Sequence, residues 1–94
     1  MFAIAFDLSI DQTEAHHPKG AQQAYTDIRK TLERNEFRWV QGSVYVTDRE
    51  DMGGLVRAIL SLKAMKWFAP SVRDIRAFRV ENWSDFTAIV KSDD

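Results

Sequence analysis

Phe37-Arg38-Trp39-Val40-Gln41 and Ser43-Val44-Tyr45-Val46-Thr47, joined by Gly42, decide the fold of this 94-residue chain. Both runs are rich in β-branched and aromatic residues. A glycine between them permits the positive φ of a tight hairpin. Strands joined so closely are antiparallel neighbours, because a parallel pair needs a crossover of about a dozen residues or more. Consecutive Rossmann-type units are therefore excluded at this point of the chain.

Upstream, Ala21, Ala24, Tyr25, Ile28 and Leu32 recur at the spacing of one helical stripe. Pro18 suits the first turn of that helix, which should end near Asn35. Residues 10–17 read as a polar loop. Residues 1–9 read as a strand, with Phe2, Ile4, Phe6 and Leu8 on one face and Ala3, Ala5, Asp7 and Ser9 on the other. Downstream, Thr47-Asp48-Arg49-Glu50 fits a capping box. Met52, Leu55, Val56, Ile59 and Leu60 form a second helical stripe, with Pro70 marking its end. Residues 72–80 alternate as a strand, and Ser84 is placed to cap a short tail helix carrying Phe86, Ile89 and Val90.

The order βαββαβ in one short chain is the ferredoxin-like pattern of the α+β class. It predicts an antiparallel four-stranded sheet in the order 4-1-3-2, with two helices on one face and a short C-terminal helix. The length fits a single domain over residues 1–94.

Composition narrows the function. There is no cysteine, so disulfide frameworks, thiol catalysis and cysteine-based zinc sites are excluded. No apolar run approaches the roughly 18 residues of a membrane span. The N-terminus lacks the basic segment of a signal peptide, so a cytoplasmic location is expected. The net charge is −1, yet Arg57, Lys63, Lys66, Arg73, Arg76 and Arg79 lie in one stretch opposed only by Asp74. Such a stretch can attract a polyanion, or be an ordinary solvated surface.

The topology gathers polar residues. The first strand is central, so its end at Asp7 lies near Ser43 and Asp74. Read by alternation, Asp7, Ser43, Tyr45, Asp74 and Arg76 share the helix-free face. Two adjacent carboxylates can hold Mg²⁺, or one can keep a proton and act as a general acid. Arg73 or Arg76 can stabilise charge on a phosphate. Ion pairing at a dimer interface is the alternative.

Other residues weigh less. His16-His17 reads as an exposed loop pair, with a base or phosphate ligand as the sharper alternative. Ser43 lacks a local base, which leaves a phosphate hydrogen bond or a cap. Trp39, Trp67 and Phe68 can stack bases or anchor a core. No phosphate-binding glycine motif is present.

Ala5-Phe6-Asp7-Leu8, Trp39-Val40-Gln41-Gly42-Ser43-Val44-Tyr45-Val46, Val72-Arg73-Asp74-Ile75-Arg76-Ala77-Phe78 and Ser84-Asp85-Phe86-Thr87 with Ile89-Val90 resemble the virulence-associated protein D (VapD) family of bacterial endoribonucleases. The resemblance runs end to end and is weakest from Ile10 to Gly20. It implies a ferredoxin-like homodimer related in fold to small CRISPR-associated nucleases. It also implies RNA cleavage, and a toxin role beside a protein antitoxin. By that resemblance Asp7 is the principal catalytic or metal-organising acid, with Ser43 and Asp74 supporting it. Tyr45, Arg73 and Arg76 are candidates for binding substrate. Mg²⁺ dependence and a metal-free route through the RNA 2′-hydroxyl both stay open. A non-catalytic dimer that grips nucleic acid or protein is the competing reading, and a small-molecule sensor a further one.

Overall fold

The structure is a computed structural model and describes residues 1–93. Its elements are β1 (Phe2–Leu8), α1 (Ile10–His16), α2 (Ala21–Arg34), β2 (Arg38–Gln41), β3 (Val44–Thr47), α3 (Met52–Ala64), α4 (Phe68–Ser71), β4 (Val72–Arg79) and α5 (Thr87–Val90). The four strands form one sheet in the order β2-β3-β1-β4, every pair antiparallel. This is the predicted ferredoxin-like α+β arrangement, with β1 central.

Period-2 alternation in β1 explains the core. Phe2, Ile4, Phe6 and Leu8 are buried and pack with Ile28 and Leu32 of α2 and Leu55, Ala58 and Leu62 of α3. Burial of each large aliphatic side chain contributes about 1.5–3 kcal/mol. The stripes are narrower than the sequence suggested. Tyr25, Met52, Val56 and Leu60 are exposed. Thr31 and Ala58 take inward positions instead.

Residues 10–16 are helix, not loop. Ser9 caps them by accepting from the Gln12 N–H, and the Thr13 hydroxyl, fully buried, donates to the Ser9 carbonyl at 2.6 Å. So short a helix carries no apolar period, and its stability comes from these caps and from packing against α4 and α2. Pro18 lies in the turn that follows. The next helix starts at Ala21, where Glu14 of α1 accepts from the backbone N–H at 2.9 Å. Gly20 makes the junction at φ +88°, and a Cβ there would meet the Glu14 carboxylate at 3.1 Å.

Thr47 and Glu50 do not form a capping box. Asp51 caps α3 by accepting from the Gly54 N–H at 2.8 Å. Glu50 instead binds the N-terminal ammonium and Arg79. At the tail, Asp85 rather than Ser84 accepts from the Thr87 N–H. Among the described residues, no helix is long and apolar enough to cross a membrane.

Candidate active site

Asp7 sits in β1 between two side chains committed to the core, so its carboxylate faces away from the helices. Its register partner in β4 is Asp74. Ala5 pairs with Arg76 and Ala3 with Phe78, so these residues share the helix-free face. Directly opposed residues on one face have Cβ atoms about 4.5–5.5 Å apart, and like charges so placed repel.

Arginines offset that repulsion. The Arg76 Nε donates to Asp74 Oδ2 at 3.0 Å and Oδ1 at 3.2 Å. The ladder shifts between Asp7 and Leu8: Asp7 pairs with Asp74 and Leu8 with Val72. Arg73 is the extra residue of this bulge, and its Nη1 lies 4.0 Å from Asp7 Oδ2. A bulge commonly re-aims a side chain in this way. The two acids and their arginines are exposed, so a polymer can approach them without entering a pocket.

Ser43 lies at the same end of the sheet as the two acids. Its carbonyl accepts from the Phe6 N–H at 3.1 Å, which places the hairpin turn beside the end of β1. The Ser43 side chain is half-buried. Asp7 and Asp74 meet on the helix-free face at this end of the sheet, whereas Ser43 continues the register opposite Phe6, on the parity of Tyr45, so its side chain starts from the helix-bearing face and not, as alternation suggested, beside the acids.

Tyr45 does not join them. It pairs with Ile4 in the ladder and is buried, stacked on Phe6 at 6.1 Å between ring centroids. Burial pushes its hydroxyl pKa up, while the neighbouring Arg29 guanidinium pulls the other way. Sequence alternation assigned β3 to the wrong faces: Val44 and Val46 pair with Ala5 and Ala3 on the helix-free side. Two β-branched residues read equally well on either side, so the sequence held no signal for that choice.

His17 is buried, not exposed. The Lys19 N–H donates to its Nδ1 at 2.9 Å, so its proton is on Nε2, which donates to Asp27 Oδ2 at 2.7 Å. The ring also packs edge-on against Trp67 at 4.8 Å. With both nitrogens occupied, it clamps the α1–α2 turn to the α3–α4 turn and is not a base. The His17 hydrogen bond, helped by Gln23, holds the Asp27 carboxyl below the usual range. His16 is exposed and bonds the Gln12 carbonyl. Trp67 and Phe68 pack at the core, whereas Trp39 stays half-exposed.

The basic stretch is less naked than it reads. Arg57 pairs with Asp51, Arg73 with Asp7, Arg76 with Asp74 and Arg79 with Glu50. Such surface pairs are weak and yield readily to a phosphate. Among the described residues, no three His, Asp or Glu side chains are grouped to hold a metal. Asp7 and Asp74 are oxygen donors of the type Mg²⁺ takes, one or two carboxylates with the rest from water and phosphate.

Fold and site together define a small ferredoxin-like α+β protein with a two-carboxylate surface centre. The family model of CRISPR associated protein Cas2 matches residues 1–88. An endoribonuclease VapD homolog of Neisseria gonorrhoeae is 56% identical over 98% of this chain and 100% of its own length. Endoribonuclease VapD of Haemophilus influenzae is 51% identical over the same shares. Endoribonuclease VapD of Helicobacter pylori is 47% identical over 98% of this chain and 100% of its own. The chain belongs to the VapD family by these identities, and the Cas2 family model matches most of its length.

Proposed function

We propose that this protein is an endoribonuclease that cuts phosphodiester bonds in single-stranded RNA. The observation that carries the reading is the pairing of Asp7 with Asp74 across β1 and β4, flanked by Arg73 and Arg76. The names of its relatives support it.

RNA enters as a polyanion, and Arg73 and Arg76 exchange their carboxylate partners for the phosphate, where a guanidinium binds in a bidentate manner. Ser43 borders this site through the turn beside the end of β1, and its hydroxyl is left to the neighbouring stretch of RNA. Asp7, freed from Arg73, takes the proton of the attacking oxygen, and the leaving oxygen takes its proton from a water that Asp74 orients. Mg²⁺ held by Asp7 and Asp74 would supply charge neutralisation at the phosphate. Without it, the arginines supply that charge and the 2′-hydroxyl attacks, leaving a cyclic phosphate. Both routes pass through Asp7, and EDTA separates them.

The resemblance further supports a cytoplasmic toxin restrained by a protein antitoxin. Phe78, exposed on the helix-free face, supports a homodimer built there. The arginine partners of both acids favour one second reading: a dimeric module that binds nucleic acid or protein without cutting it. The deciding test incubates wild type and Asp7→Asn with end-labelled single-stranded RNA, in Mg²⁺ and in EDTA. Cleavage lost with Asp7→Asn supports the nuclease. Binding without cleavage, unchanged by loss of both acids, supports the module.

A further inference from the structure

The guanidinium of Arg29, on α2, lies 4.4 Å from the centroid of the Trp39 ring. The Trp39 Nε1–H donates to the Gly42 carbonyl at 2.8 Å, which fixes the indole against the hairpin turn. Beside this pair runs a groove of about 350 Å³, lined by Tyr25, Arg29, Lys30, Glu33, Gly42 and Tyr45 among others. Trp39 is 47% exposed. Among the described residues neither Arg29 nor Lys30 is in a salt bridge, as four arginines of the basic stretch are; Arg29 neighbours the Tyr45 hydroxyl, and Lys30 lies near enough to Asp27 to favour its carboxylate. Trp39 meets Arg29 and Lys30 only through the packing of α2 on the sheet, which no sequence spacing announces.

We propose that this groove is a second RNA subsite, which holds a nucleotide next to the one being cut. The inference rests on the nuclease reading and extends it. A fixed, half-exposed indole with a guanidinium over its ring offers the flat cationic platform on which bases stack. Lys30 supplies a phosphate contact, and Glu33, on the same wall, disfavours a second phosphate beside it. The location links the two places: the Gly42–Ser43 turn ends one wall of the groove, and the Ser43 carbonyl is bound to Phe6, next to Asp7. A strand crossing that turn passes from the acids on one face to the groove on the other. The groove recognises a base and its sugar-phosphate, and the open space over Gly42 leaves room for the crossing.

The test titrates an uncleavable 2′-O-methyl oligoribonucleotide in EDTA, followed by tryptophan fluorescence and by anisotropy of an end label. The proteins are wild type, Trp39→Phe, Arg29→Gln/Lys30→Gln, and Arg29→Lys. The double variant should bind about tenfold or more weakly, consistent with loss of one stacked base and its phosphate contact. Trp39→Phe should lose the fluorescence change. In cleavage assays the double variant should raise KM and leave kcat at saturating RNA intact. Arg29→Lys keeps the charge and should fall between, which separates stacking from mere attraction; circular dichroism confirms that each variant is folded. Wild-type affinity in every folded variant overturns the subsite while cleavage through Asp7 stands. Oligomer binding that depends on Trp39 in a protein that cuts nothing keeps the subsite and removes the nuclease. Equal competition by polyglutamate overturns recognition of RNA.

Discussion

Asp7 and Asp74 are register partners across the central strand and the outermost one, each with its own arginine. Opposed acids on a sheet face cost stability. A chain that keeps them together therefore carries a small destabilisation that arginines offset, and a bound phosphate would release those arginines for binding.

Replacing Asp7 by Asn should lower RNA cleavage by about 100-fold or more, the scale of a lost acid–base group. Asp74→Asn should cost less, because Asp7 remains to take the attacking proton. Both variants should melt at or above the wild-type temperature, since each removes one of two repelling charges. Gel analysis of end-labelled RNA with parallel melting curves checks both halves.

Tyr45→Phe should leave kcat at the wild-type value, because Tyr45 is on the buried face, away from the acids. Tyr45→Ala should destabilise by about 3 kcal/mol, the low end for deleting a buried aromatic ring. Urea unfolding measures the second effect. A large loss of kcat in a stable Tyr45→Phe protein would return Tyr45 to the acidic site.

His17→Ala should destabilise by about 2 kcal/mol, from its lost bond to a carboxylate and an unpaired Lys19 N–H. Cleavage by the folded fraction at low temperature should be unchanged. A base at this position would instead reshape the pH–rate profile of the folded enzyme.

The Asp51 carboxyl is lowered from 3.8 to about 2, first by the Arg49 guanidinium and then by the Gly54 N–H. A depressed folded-state pKa stabilises above the unfolded value and loses that effect as pH falls through the folded value. Melting temperatures of wild type and Asp51→Asn should therefore differ above about pH 4 and converge toward about pH 2. A constant difference across that range would place the role of Asp51 outside its charge.

Much of the fold was legible because β1 alternates so cleanly and because Gly42 leaves no room for a crossover. Those two features set the sheet order, and the sheet order brought Asp7 and Asp74 together, with Ser43 at the same end but on the other face. Faces were harder to read where both parities are apolar. In β3, Val44 and Val46 look as core-like as Tyr45, and only the β1 register tells them apart. Helix α1 was hidden because Ser9, Thr13 and Glu14 hold it through polar contacts that leave no periodic trace. The burial of His17 leaves no trace in the sequence either, because its partners, Asp27 and Trp67, are distant along the chain.

The bulge at Arg73 makes the acidic site a matter of counting as well as chemistry. Between Asp7 and Leu8 the chain of β1 takes one step while β4 takes two. Insertion of any residue between Asp74 and Ile75, however mild, would turn Asp74 toward the helices, because each step along a strand reverses the face. Deletion of Arg73 would even the ladder and keep the acids opposed, but would take away the cation beside Asp7. Over generations, this segment can exchange side chains far more freely than it can change its length.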